Sequence, residues 1–231
     1  MKDDLDKKLL KKRKKSSSDS KGVSSDVIYN AVISALYRRE GGGKCLDFGA
    51  GQGALLDLLF QMNRFSDLCG VDLMEAPAHL KPNISWLIQD LNMPLKIRDD
   101  SFDTVISAEV IEHLENPRAV FREFYRVLKP GGLLVLSTPN QESIRSKVSL
   151  ITKGNFDQFR DRDYPRHITA LLHQDIERCA SEAGFQDGSF GFSDSGLLPL
   201  PKLAVRWQAI LPHFFRGNHF SDNVIYSCIK K

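Results

Sequence analysis

The sequence predicts an α/β fold: a doubly wound sheet, parallel through its first strands, with helices on both faces. Three observations carry this. Short apolar runs of strand length alternate with stretches of helical periodicity. The runs are close to continuous in Val, Ile and Leu instead of alternating apolar with polar, as strands covered on both sides are. The first run also passes directly into a glycine-rich turn that opens a helix.

Residues 24–40, "SSDVIYNAVISALYRRE", combine a Ser/Asp start with apolar residues at helical spacing, and Gly41, Gly42 and Gly43 end them. Strands follow at 44–49 ("KCLDFG"), 68–73 ("LCGVDL"), 84–89 ("ISWLIQ"), 102–107 ("FDTVIS") and 132–138 ("GLLVLST"), with helices at 53–62 and 117–128. Ligands of such sheets bind beyond the carboxyl ends of the strands, where strand order reverses. Past residue 140 the pattern loosens to a helix at 173–183, a strand at 185–192 and a closing strand at 222–230, without internal repeats.

With 42% hydrophobic and 26% charged residues, the chain has the profile of one globular domain with a small appendage. No run reaches the roughly 18 apolar residues of a spanning helix, and the N-terminus is charged where a signal peptide is apolar, so the expected compartment is the cytoplasm. Cys45, Cys69, Cys179 and Cys228 are far apart, lack CxxC spacing and read as small core residues of a reducing compartment. The net charge of +3 is unevenly placed: residues 1–21 hold nine Lys or Arg against four Asp, and residues 22–231 hold 23 basic against 25 acidic residues, a net of −2. Residues 1–22 therefore read as a basic, serine-rich, disordered arm, either a solubilising terminus or a peripheral contact with an anionic inner-membrane surface or RNA.

The first strand leads into "LDFGAGQGALLDLL". Gly49, Gly51 and Gly53 let the backbone turn sharply and approach a ligand, and the helix start attracts an anionic group. "GAGQGA" also satisfies the degenerate dinucleotide fingerprint, with Asp72 at the spacing of a ribose-binding acid. Three features oppose a nicotinamide cofactor. Asp47, inside the strand end, suits an ammonium and repels a pyrophosphate. Asp90, ending the third strand in "LIQDLN", suits an adenine amino group. "RVLKPGGLLVLSTPN" adds a helix, a Pro-Gly-Gly turn and a strand.

In its motifs "LDFGAGQG", "GVDL", "IQDLN", "FDTVISAEVIEHLENP" and "RVLKPGGLLVLSTPN", in that order over residues 43–140, the chain resembles the class I S-adenosylmethionine-dependent methyltransferases. The branch it resembles is the bacterial one of small-molecule and glycan O-methyltransferases, similar to the ubiquinone-biosynthesis O-methyltransferases. The resemblance implies a Rossmann-like sheet of about seven strands, the last antiparallel, and S-adenosylmethionine as methyl donor. Carried over residue by residue, Asp47 would approach the methionine amino group, and Gly49, Gly51 and Gly53 would lie along methionine and ribose. Asp72, with Leu73 beside it, would accept from the ribose hydroxyls, Asp90 and the Leu91 amide would meet adenine, and Ser107 and Ala108 would line the methionine end. Residues 23–231 then form one domain: a cofactor-binding core at 43–140, an acceptor-side lid with insertions at 141–220, and a closing strand at 221–231.

"AEVIEHLENP" (108–117) emerges in this family beside the methyl group. As a helix it would set Glu109, Glu112 and His113 on one face. His113, with an ordinary pKa near 6.5, suits a general base for the acceptor, with Glu109 beside it. Glu109, Glu112 and His113, joined by His167 of "DYPRHITALL", alternatively suit a divalent cation. The plain alternative is an acidic helix start with a packed histidine. The expected acceptor is an oxygen of a small molecule, a glycan or a lipid-linked precursor. Residues 196–215, "GLLPLPKLAVRWQAILPHFF", read as core, or else as an apolar lip for such an acceptor. Rival readings are a metal-dependent RNA 2′-O-methyltransferase, which a body of net −2 disfavours, and a non-catalytic, cofactor-binding partner subunit.

Overall fold

The computed structural model describes residues 9–11, 13–15, 22–200 and 204–231. In chain order the elements are α1 (Asp26–Arg38), β1 (Gly43–Phe48), α2 (Ala54–Gln61), β2 (Phe65–Asp72), β3 (Ser85–Ile88), β4 (Phe102–Ala108), α3 (Pro117–Val127), β5 (Leu128–Pro139), α4 (Ile144–Lys153), α5 (His173–Ala183), β6 (Phe185–Phe192), α6 (Trp207–Ile210) and β7 (Asn223–Lys230).

Seven strands form one sheet in the order β3-β2-β1-β4-β5-β7-β6. Neighbours from β3 to β5 run parallel, whereas β7 pairs antiparallel with both β5 and β6. The expected architecture is thus present, with the closing strand inserted inside the sheet edge. Strand order reverses between β1 and β4, which opens the crevice of a doubly wound sheet there.

Successive side chains of a strand point to opposite faces, and the two cores follow that period of two. Leu46, Phe48, Val105, Leu134 and Leu136 join Phe121 and Phe124 of α3 and Ile176 of α5 in one core. Cys45, Ile106, Leu133 and Val135 join Val32 and Leu36 of α1 and Leu56 and Leu59 of α2 in the other. Asp47 shares the parity of Cys45, so its carboxyl group enters the α1/α2 face. No cysteine is paired among the described residues. None of their helices is long and apolar enough to cross a membrane.

Residues 9–11 and 13–15, within the basic arm, are helical; residues 1–8, 12 and 16–21 lie outside the described residues. One expectation changes. Residues 196–215 are not core, because Leu200, Ile210, Leu211 and Phe214 are exposed; Pro201, Lys202 and Leu203 lie outside the described residues.

Phe124 is fully buried and packs edge-on against Phe48, ring centroids 4.9 Å apart, joining α3 to the central strand. Phe124→Ala should cost about 3–5 kcal/mol, read as a lower urea midpoint at unchanged slope.

Candidate active site

A cavity of about 420 Å³ opens at the carboxyl ends of β1, β2 and β4 and is lined by Asp47, Gly49, Gly51, Asp72, Leu73, Asp90, Leu91, Ala108, Glu109, Glu112, His113 and His167, among others. Of the residues singled out in the sequence, Gly53 and Ser107 do not line it. Gly53 caps α2 behind the turn, and Ser107 is wholly buried on the other face of β4.

The floor is the glycine turn. Gly49 has φ +86° and Gly51 φ +53°, and a Cβ on either would collide, with Val110 and with the Gly22 backbone respectively. The Gly49 amide donates to the Val71 carbonyl at 2.8 Å, which ties the turn to β2. Asp72 holds it from the other side, accepting from the Gly51 amide at 2.9 Å and the Met74 amide at 3.0 Å. Each carboxylate oxygen retains a lone pair for a ligand hydroxyl.

Asp47 is 2% exposed, and among the described residues its Oδ2 has no hydrogen-bond partner. Burial, then the nearby Asp72 charge, push its carboxyl group up to about 7. A buried carboxyl oxygen left without a partner costs about 1–3 kcal/mol or more, which suits the site to a cationic or donor group that no described residue supplies.

Asp90 lines the cavity and also carries a partner from the arm. Its Oδ2 receives Arg13 Nη1 at 2.5 Å, while Arg13 Nη2 reaches Glu115 at 2.8 Å. Its Oδ1 accepts from the Asn92 amide at 3.0 Å. Leu9 and Arg13 thus line the cavity beside Asp90. Nothing in the arm's composition pointed to this pairing, since nine interchangeable cations conceal the one that finds two acids.

The "EVIEH" segment is not a helix through Glu109. Glu109 has φ +57°, and its amide donates to Ser137, extending the β4–β5 pairing. Only Ile111–His113 makes a 3₁₀ turn, and Asn116 then caps α3, accepting from the Ala119 amide at 3.1 Å ahead of Pro117 at the first helical position. Glu109 consequently points at Ser137 Oγ (2.8 Å) and Asn223 Nδ2 (2.8 Å) and, among the described residues, is not part of a metal-like cluster. Glu112, His113 and His167 are, their ligand atoms lying within 4.8 Å of one another.

Loop 164–169 is fastened to this turn by backbone bonds: the Glu112 carbonyl accepts from the Ile168 amide (2.9 Å) and the Thr169 amide (3.0 Å). His113 Nδ1 lies 2.7 Å from the Arg166 carbonyl, and His167 Nδ1 lies 2.7 Å from the Gln158 carbonyl. A carbonyl can only accept, so each Nδ1 carries the proton and each neutral ring presents the lone pair of Nε2. Burial lowers His113 below its ordinary value, and burial followed by His113 pushes His167 down to about 4. Burial first, and the neighbouring Glu112 carboxylate second, raise Glu109. Burial likewise raises Glu112, whose Oε2 accepts from the Thr138 hydroxyl at 3.2 Å. Among the described residues Glu112 Oε1 has no partner.

Residues 25–189 match the model of a family described as a methyltransferase domain. A probable S-adenosylmethionine-dependent methyltransferase of Mycolicibacterium smegmatis is 35% identical over 178 residues, covering 74% of this chain and 64% of the relative. A ubiquinone biosynthesis O-methyltransferase of Psychrobacter arcticus is 28% identical over 157 residues, covering 62% and 59%. The chain spans about three fifths of the length of these two relatives. The crystal structure of a methyltransferase from Thermotoga maritima, described as a possible histamine N-methyltransferase, superposes with a TM-score of 0.62 at 19% identity, covering 88% of this chain and 89% of that one.

Asp47 yields a signed stability prediction. The folded chain keeps this proton up to about pH 7, while an unfolded carboxyl group releases it near 3.8. The wild type therefore loses stability as pH rises through that window and stays at the lower level above it. Asp47→Asn removes the loss. Its advantage should grow from near zero at pH 4 to about 2–4 kcal/mol at pH 8, read from urea unfolding of the unliganded protein. A variant less stable than wild type at pH 8 would contradict the assignment.

Proposed function

The chain belongs to the methyltransferase-domain family, class I and S-adenosylmethionine-dependent, and from that premise we propose that it transfers a methyl group to an oxygen of a small-molecule, glycan or lipid-linked acceptor, with His113 as general base. S-adenosylmethionine supplies the electrophilic methyl on a sulfonium whose charge is discharged on transfer. Asp47, with its unpartnered oxygen, would hold the ammonium end. Gly49 and Gly51 would let the backbone approach, Asp72 would take the ribose hydroxyls, and Asp90 with the Leu91 amide would meet the adenine.

One observation supports His113: its Nδ1 is held by the Arg166 carbonyl at 2.7 Å, which leaves Nε2 as a neutral acceptor in the same cavity as Asp47, whereas His167, held the same way by the Gln158 carbonyl, is pushed down to about 4 by burial and by His113 and is the weaker base. An acceptor hydroxyl needs its proton removed as the new bond forms, and a neutral imidazole does this near pH 7. Glu109, buried and raised, acts behind it as a fixed member of the Ser137–Asn223 network. The oxygen-directed reading is supported by the name of the Psychrobacter relative.

His113→Ala should lower kcat by about 10²–10⁴-fold with donor affinity unchanged, assayed as S-adenosylhomocysteine release over a panel of phenols and glycosides. Full turnover by this variant would remove the base role. No turnover with any acceptor, despite donor binding, would favour the non-catalytic reading.

A second reading is favoured by the cluster itself. Glu112 Oε1 and the Nε2 atoms of His113 and His167 are three uncommitted donors of mixed oxygen and nitrogen type, suited to a divalent cation that would polarise the acceptor hydroxyl. On this reading chelation abolishes turnover, added Mn²⁺ or Zn²⁺ restores it, and Glu112→Gln fails to recover. Turnover insensitive to both chelator and Glu112→Gln would exclude it.

A further inference from the structure

Between β6 and β7 the chain makes an excursion, residues 193–222, that carries Lys202, Arg206, His213, Arg216 and His219 against two acids at its ends, Asp194, which accepts from the Gly217 amide, and Asp222, which accepts from the Leu197 amide and pairs with Arg145. It is a built structure. The Leu198 amide donates to the Val205 carbonyl at 2.9 Å, and the Trp207 amide to the Gly196 carbonyl at 3.0 Å. Gln208 Nε2 bridges the Phe215 and Phe220 carbonyls at 2.6 and 3.1 Å. The rings of Trp207, Phe215 and Phe220 pack together with centroids 4.9 to 5.3 Å apart.

That inner cluster leaves other apolar groups outside it. Phe214 is 78% exposed, and Leu200, Ile210 and Leu211 are each at least half exposed. Single exposed apolar residues are ordinary, but three within five positions, on a hydrogen-bonded support and in a segment whose two acids are tied down at its ends, form an amphipathic surface with its cations. A second copy of the chain would set these cations against themselves across a twofold axis, which repels. Nucleic acid would call for presented rings to stack on, whereas the rings here are largely turned onto one another.

We propose that this excursion docks the protein on an anionic lipid bilayer. Phe214, Ile210 and Leu211 enter the boundary between headgroups and acyl chains, and Arg206 and Arg216 meet lipid phosphates. Interfacial segments combine apolar insertion with cations that reach anionic headgroups in this way. The proposal rests on the surface alone and does not require the methyl-transfer reading.

The test is flotation of the full chain with phosphatidylcholine vesicles, with and without about 30% phosphatidylglycerol. Two variants accompany it: Ile210→Glu/Phe214→Glu, and Lys11→Gln/Lys14→Gln/Lys15→Gln in the arm. Circular dichroism and S-adenosylhomocysteine binding serve as folding controls, since none of these residues was placed in the donor or base machinery. Wild type should float with the anionic vesicles only, the Glu variant should partition at least about tenfold less, and the arm variant should keep most of its binding. Any of four results overturns the proposal: no vesicle binding by wild type, undiminished binding by the Glu variant, loss confined to the arm variant, or a Glu variant that instead dissociates a dimer or releases RNA.

Discussion

The Asp47 carboxyl group stands at the inner end of the central strand, buried, close to Asp72, and with one oxygen that no described residue satisfies. A fold does not keep such a group for stability, since desolvation and the like charge both work against it. Everything near it is arranged around that cost. Gly49 and Gly51 let the turn close against the Val110 side chain and the Gly22 backbone, and Asp72 accepts from the Gly51 and Met74 amides. The reversal of strand order between β1 and β4 supplies the crevice into which both acids open.

The second half of the cavity depends on the first through one side chain. Val110 fills the place where a Gly49 side chain would stand, so the segment after β4 is pressed against the glycine turn. Glu109 is thereby turned back to Ser137 and Asn223, and the 3₁₀ turn that follows carries Glu112 and His113 toward His167. Loop 164–169 reaches them through backbone bonds to Glu112 and through the Arg166 carbonyl, which fixes the tautomer of His113. The proposed base and the proposed ammonium site are in this sense one packing solution.

The central sheet was legible because its signal is local and repeated: apolar runs, a glycine turn, and acids at strand ends. The helix at 173–183 and the strand at 185–192 coincide with α5 and β6. The conformation of "AEVIEH" was not legible. Its i, i+3, i+4 spacing is equally that of a helix, and the pull of Ser137 on the Glu109 amide comes from a strand 28 residues away. The partners of the two histidines are backbone carbonyls, which have no sequence signature at all. Arg13 was hidden among equivalent cations, and the exposed face of residues 196–215 was hidden by a composition that reads as core. Local chemistry thus announced the glycine turn and the acids at the strand ends, while the arrangement of Glu109, Glu112, His113 and His167 was set by long-range contacts.

Proton counting tests the central claim most directly. If Asp47 is the receptor for the donor's ammonium group, binding must convert a largely protonated carboxyl group into a carboxylate at pH 6, because its unliganded value is about 7. Calorimetry of S-adenosylhomocysteine binding at pH 6, in buffers of different ionisation enthalpy, should therefore register release of close to one proton per site. Asp47→Asn should release almost none and bind more weakly. Tight binding by the wild type without proton release, or undiminished affinity in the Asn variant, would contradict the account.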